Sequence, residues 1–105
     1  MMKKLLINFQ NTPCAILEEL NKLVHYRLTY LPEYTGSAIS LTLPVRSEPY
    51  EFDTFPSFFD GLLPEGMQLD ALLRQKKIDQ YDCMSQLAAV GEDLVGAVTV
   101  SEIAL

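Results

Sequence analysis

Apolar and polar positions change rhythm once along this chain. Residues 1–45 alternate in twos, as strands do, whereas residues 54–91 repeat at helical spacing. Near the start, Leu5, Ile7 and Phe9 fall on one face of a strand, and Asn11-Thr12-Pro13 marks a turn. Residues 14–20 are ambiguous. Ala15-Ile16-Leu17-Glu18-Glu19-Leu20 favours helix by propensity, but the run is too short to decide. Val24, Tyr26, Leu28 and Tyr30 share one face of a half-buried strand, with more polar side chains between them. After Pro32 and the connection Tyr34-Thr35-Gly36-Ser37, the residues Ile39, Leu41, Leu43 and Val45 alternate again. They predict another strand, with Pro44 near its end or at a sheet edge.

Residues 46–53 read as a polar loop broken by Pro49. Asp53 or Thr54 is placed to cap a helix, and Pro56 is acceptable in a first helical turn. Phe55, Phe58, Phe59, Leu62 and Leu63 follow the i, i+3, i+4, i+7, i+8 template, which assigns them to a core-facing stripe. Gly61 weakens this helix and Pro64 ends it. Leu69, Leu72 and Leu73 form the stripe of a second helix, with Arg74, Lys76 and Lys77 favourably placed near its C-terminal end. Asp79 is placed to cap a third helix containing Tyr81, Met84, Leu87 and Ala88, and Gly91 suits its C-terminal cap. Residues 95–101 are β-rich and are expected to rejoin the sheet. The expectation is one α+β domain over residues 1–105: a small mixed, mainly antiparallel sheet packed with about three short helices.

Bulk properties narrow the function classes. With 49% apolar and 21% charged residues the chain is globular rather than disordered. No apolar run approaches the ~18 residues of a membrane span. The apolar start, Leu5-Leu6-Ile7, ends at Asn8, and no small-residue cleavage site follows, so the segment reads as the first strand of a cytoplasmic protein. A net charge of −6, with eight scattered basic residues, argues against direct nucleic-acid binding.

Candidate chemistry is sparse. Cys14 and Cys83 make no C-x-x-C pair and read as two reduced, partly buried thiols. His25 is the only histidine, and its place in a strand fits a surface or packing role better than catalysis. One histidine and two separated thiols offer no zinc-ligand pattern. Ser57 and Ser85 lack a motif that would activate them. Gly91-Glu92-Asp93-Leu94-Val95-Gly96 has the glycine spacing of a phosphate loop. Ala97 and Val98 stand where such a loop needs Lys and Ser or Thr, and Glu92 and Asp93 would repel a triphosphate. It is read as a turn. No catalytic, cofactor or metal residues are expected.

Two long segments carry a resemblance. Phe58-Phe59-Asp60-Gly61-Leu62-Leu63-Pro64-Glu65-Gly66 resembles the "FFDNLLP" segment of HipA-type kinases. At matching separation, residues 84–100 resemble that family's "LLSEIGRDSVGAVTL" segment. Upstream, residues 26–34 and 41–45 are similar to its "F-x-Y-x-P-E-W" and "LSLSLPL" strands. The resemblance implies the N-terminal domain of the family, with strand rather than helix at residues 14–20. It also implies that the kinase motifs lie elsewhere, because no Gly-rich ATP loop or catalytic-loop aspartate occurs here.

A free-standing domain of this kind resembles the small HipS subunit of split systems. There the serine/threonine kinase toxin, HipT, is a separate chain accompanied by a HipB-like DNA-binding protein. The implied role is that of an antitoxin holding the kinase inactive; a fragment of a longer HipA-like kinase and a small enzyme of unknown class are the alternatives. The expected interface is the tight connection Leu63, Pro64, Glu65, Gly66, Met67 and Gln68, with Met67 as a flexible, polarizable anchor. The alternative for Met67 is ordinary core packing beside Ala71.

Overall fold

A computed structural model describes residues 3–21, 24–64, 66–91, 94 and 97–103. Strands β1 (Lys3–Phe9), β2 (Thr12–Asn21) and β3 (His25–Tyr30) form an antiparallel meander. A short strand β4 (Tyr50–Phe52) pairs with β3, and β5 (Val98–Glu102) returns to pair with β1. The sheet order is β4-β3-β2-β1-β5, and each of these ladders is antiparallel. Between β4 and β5 the chain forms α1 (Ser57–Asp60), α2 (Gly66–Lys76) and α3 (Cys83–Val90). The α+β class matches expectation, with no parallel pairing among the described strands.

Register explains why one face is buried. Leu5 stands opposite Leu17, Leu17 opposite Leu28, Ile7 opposite Ala15 and Val100, and Ala15 opposite Tyr30. These residues line the inner face, where Phe59, Met84 and Leu87 complete the core. The opposite face carries a row of alternating charge. Lys4, Glu18, Arg27 and Glu51 stand side by side across four strands, with Lys4 Nζ 3.6 Å from Glu18 and Arg27 Nε donating to Glu51 at 2.7 Å. Opposite charges directly across a ladder support the pairing, while like charges would oppose it. His25 Nε2 also lies 2.7 Å from Glu51, so the lone histidine is a surface partner of β4.

Segment 14–20 is strand, because tertiary pairing overrides helix propensity in a central strand with two neighbours. Its period of two was obscured by Glu19, a carboxylate facing inward with only 5% exposure. The first hairpin turns at Gln10 and Asn11, whose φ values of 50° and 65° fit the two-residue turn that matches strand twist. Pro13 then sits at the irregularity beside Asn8, where a missing donor is tolerated. Val24 does not join the inner face of β3; it precedes the strand and is exposed.

The strand expected at residues 39–45 is not there. Ile39 and Leu43 are buried, but the chain turns between them, with Leu43 N–H donating to the Ser40 carbonyl at 3.1 Å. The backbone groups that a ladder would have paired go to one side chain instead. Ile39 N–H donates to Tyr30 Oη at 3.1 Å, and the same hydroxyl donates to the Leu43 carbonyl at 2.6 Å. Leu41 is consequently fully exposed. A strand appears instead within the predicted polar loop, at Tyr50–Phe52, where Tyr50 and Phe52 face the core and Glu51 faces out.

Helix α1 is a single turn, shorter than the apolar stripe suggested. Neither Asp53 nor Thr54 caps it, and Pro56 occupies the N-cap position without a side-chain bond. Phe55, Phe58, Leu62 and Leu63 nonetheless pack against the core around buried Phe59. Asp82, not Asp79, caps α3, accepting from Ser85 N–H at 3.2 Å and from Ser85 Oγ at 2.7 Å. Asp79 closes the preceding turn by accepting from Tyr81 N–H, which leaves Tyr81 outside the helix and exposed. Helix α2 ends at Lys77, φ 55°, with Ile78 N–H reaching back to the Leu73 carbonyl. Gly91 ends α3 in right-handed conformation, so its glycine requirement comes from packing: an added Cβ would lie 2.2 Å from the Val100 carbonyl oxygen. The expected turn at Glu92, Asp93, Val95 and Gly96 lies outside the described residues.

Three outcomes follow for stability. Tyr30→Phe leaves a buried N–H and a buried carbonyl without their partner, costing about 1–3 kcal/mol. A thermal melt should then fall by ~4 °C or more. Gly91→Ala forces β5 or α3 to shift, and should cost about 1–3 kcal/mol in a denaturant titration. The Glu51 carboxyl is held below its ordinary pKa of 4.5 by the His25 and Arg27 hydrogen bonds. A lowered folded pKa gives stability that is present above the unfolded value and lost as pH falls through the folded one. The melting difference between wild type and Glu51→Gln should therefore shrink on acidification below about pH 4.5, the ordinary value for this carboxyl. A difference that does not change with pH would count against this pairing.

Candidate functional site

Two features of the helical half set the candidate site. Gly66, at φ 58°, takes the left-handed conformation that starts α2 abruptly after Pro64, and a Cβ there would meet nothing within 4 Å. Its glycine is thus a matter of backbone freedom rather than space. The second feature is the helix itself. No residue of α2 is buried. Leu69, Leu72 and Leu73 are half-buried, yet none of them belongs to the core cluster. Helix α2 rests on α3 and leaves its other side open.

Of the expected interface residues, Leu63 and Pro64 are half-buried, and Leu63 packs against the core. Gly66 opens α2, while Met67 and Gln68 follow on its first turn and are exposed. Glu65 lies outside the described residues. Met67 is 88% exposed and Ala71 is exposed too, so the alternative of core packing beside Ala71 does not hold. Met67, Asp70, Ala71, Arg74 and Gln75 line a shallow concavity of about 360 Å³ on the outer side of the helix. A larger groove of about 550 Å³ runs between the end of α2, α3 and the β1/β5 edge, with Leu5, Met84 and Ala88 along it and Lys4 and Lys76 among its lining residues.

One polar cluster was not found from the sequence. Glu19 and Tyr26 are a cross-strand pair on the inner face, joined by a side-chain hydrogen bond, with Asp82 and Cys83 of the α3 N-terminus close by. Burial, reinforced by Glu19, pushes the Tyr26 hydroxyl strongly upward, so it stays protonated and acts as a donor. Burial pushes the Cys83 thiol up as well, and the carboxylates of Asp60, Asp82 and Glu19 add to that. A thiol so placed is held away from the nucleophilic thiolate. The arrangement ties α3 to the sheet. No signal in the sequence distinguished Glu19 from its half-buried, outward-facing neighbour Glu18, since only register decides which of the two faces inward.

Cys14 is fully buried, with its thiol raised by burial, and both cysteines are free. Among the described residues no group of three or more His, Cys, Asp or Glu side chains is arranged to hold a metal ion. No helix among them is long and apolar enough to cross a membrane.

Comparison with known proteins fits this geometry. The sequence pattern of the HipA N-terminal domain matches residues 5–101. An uncharacterized protein of Haemophilus influenzae (strain ATCC 51907 / DSM 11121 / KW20 / Rd) is 32% identical over 88 residues, which make up 84% of this chain and 81% of the relative. A solved structure, the N-terminal domain of HipA toxin, superposes with a TM-score of 0.74 at 23% identity, covering 97% of this chain and 93% of that one. That likeness is one of fold. The matched span runs from within β1 to within β5, and the chain belongs to the HipA N-terminal domain family.

Proposed function

We propose that this chain is a non-catalytic binding subunit, an antitoxin that docks on a separate HipA-type serine/threonine kinase of the HipT kind and holds it inactive. Family membership supports a toxin–antitoxin context, and the HipA N-terminal domain is the non-catalytic part of such kinases. The relative supports a stand-alone subunit. The matched 88 residues make up 81% of it, so it is itself a small protein of domain size. A HipB-like DNA-binding protein is the natural third member. This chain's charge of −6 suits contact with proteins rather than with phosphate backbones. The proposed site of action is the cytoplasm, where the two free thiols would stay reduced.

The observation that carries the reading is the exposure of Met67. A large apolar side chain stands in water on the first turn of a helix whose start is set by Gly66. Methionine adapts its shape to a pocket better than branched side chains do. Inhibition requires that the bound kinase be less active than the free one. Gripping the N-lobe in an unproductive arrangement and obstructing the cleft with Met67 both meet that condition.

The test is kinase autophosphorylation with and without the full chain. Wild type should suppress it. Met67→Ala should weaken inhibition about 30-fold, the equivalent of a 2 kcal/mol interface anchor. The melting temperature should not change, because Met67 has few contacts to lose. An unchanged inhibition constant would exclude the α2 corner. Failure of the wild-type chain to inhibit would exclude the antitoxin role itself.

A further inference from the structure

The connection between β3 and β4, residues 31–49, is long but tightly held. Leu31 N–H donates to the Cys14 carbonyl at 2.9 Å, and Tyr34 Oη donates to the Ser37 carbonyl. Gly36 admits that tyrosine, since a Cβ there would lie 2.5 Å from its hydroxyl. Further on, Arg46 lies 3.7 Å over the Tyr50 ring and donates to the carbonyls of Glu48 and Pro49. At the centre stands the turn around Leu41. Buried Ile39 and Leu43 flank it, and the Tyr30 hydroxyl bonds to the backbone of both. Thr42 N–H donates to Ser40 Oγ at 3.3 Å, and the two hydroxyls lie 3.0 Å apart. The side chain at the apex is 100% exposed.

We infer that this turn is a second docking element, which seats Leu41 in an apolar pocket of the partner kinase. The inference rests on the reading of the chain as a kinase-binding subunit and adds a contact distinct from Met67. A single exposed leucine is ordinary on a protein surface. This one differs in two ways. Its backbone is fixed on both sides by buried anchors, so little ordering is left to be lost on binding. In addition, residues 34–45 contain no charged side chain, in a protein where 21% of residues are charged. Depletion of charge marks the centre of protein interfaces.

Charge also selects the occupant. Two copies of this chain each carry −6 and repel, and residues 34–45 offer no cation to offset the repulsion. A different protein is favoured, with an apolar pocket rimmed by hydrogen-bonding groups that answer the Ser40 and Thr42 hydroxyls.

The measurement is the dissociation constant of the full chain for the HipA-type kinase proposed as its partner, by calorimetry, with light scattering of the chain alone. Leu41→Ser should bind about 10-fold or more weakly at an unchanged melting temperature, and Leu41→Met should retain most of the affinity. Equal binding by Leu41→Ser and wild type, while Met67→Ala is weakened, would overturn this inference and leave the antitoxin reading standing. Self-association of wild type that Leu41→Ser abolishes would overturn it in favour of a second copy. Absence of binding by wild type would remove the antitoxin reading, and this contact with it.

Discussion

A sheet that buries one face and leaves the other in water governs everything else in this molecule. Its inner residues, from Leu5 through Leu17 and Leu28 to Val100, need apolar cover, and the meander of β1 to β3 cannot supply that itself. Much of the cover comes from the chain between β4 and β5, where Phe59 of α1 and Met84 and Leu87 of α3 are fully buried. Tyr34, Ile39 and Leu43 of the β3–β4 connection join them. Helix α2, lying between α1 and α3 in sequence, is left half-employed, because those two helices have already met the demand. The outer face of the sheet needs no lid, since the row Lys4, Glu18, Arg27 and Glu51 makes it compatible with solvent.

Much of this architecture was legible in the residues. Alternation located β1 and β3, helical spacing located α2 and α3, and the Phe58 to Leu63 segment was rightly assigned to the core. The failures share one cause: side-chain partners that the pattern of apolar and polar positions does not show. Alternation at Ile39, Leu41, Leu43 and Val45 looks like a strand, but the Tyr30 hydroxyl takes the two backbone groups on which a ladder would have depended. Asp79 and Asp82 are both fit to cap a helix, and only the Ser85 side chain shows which one does. Glu19 masked the period of β2 because a carboxylate was not expected to face inward. Its acceptability depends on Tyr26, a neighbour on another strand. Of the candidate interface, Met67 and the turn at Gly66 were visible in the sequence. The exposure of Leu41 was not, because it depends on the hydrogen bonds that the Tyr30 hydroxyl of β3 makes to Ile39 and Leu43 on either side.

The titratable groups in the interior are placed for architecture. Tyr26 remains a donor to Glu19, Cys83 is kept as a thiol by burial and nearby carboxylates, and Cys14 is sealed beneath Tyr34. What the molecule offers to the outside is shape: an unfilled helix flank, and a stapled turn without charge. Both occur where the local chain has been freed from the core, on α2 by redundancy of cover and at Leu41 by the tyrosine staple.

Among the described strands, the last lies against the first. Asn8 of β1 bonds to Ser101 of β5, 93 residues away along the chain. As the polypeptide leaves the ribosome, β1, β2 and β3 can pair early, but the outer flank of β1 stays bare until β5 has emerged as well. During that interval Ile7 lacks Val100 beside it, and the backbone of β1 is open to stray pairing. Contacts of such long sequence separation are slow to form. A nascent chain of this kind stays exposed to misassembly along β1 until β5 has emerged and paired with it.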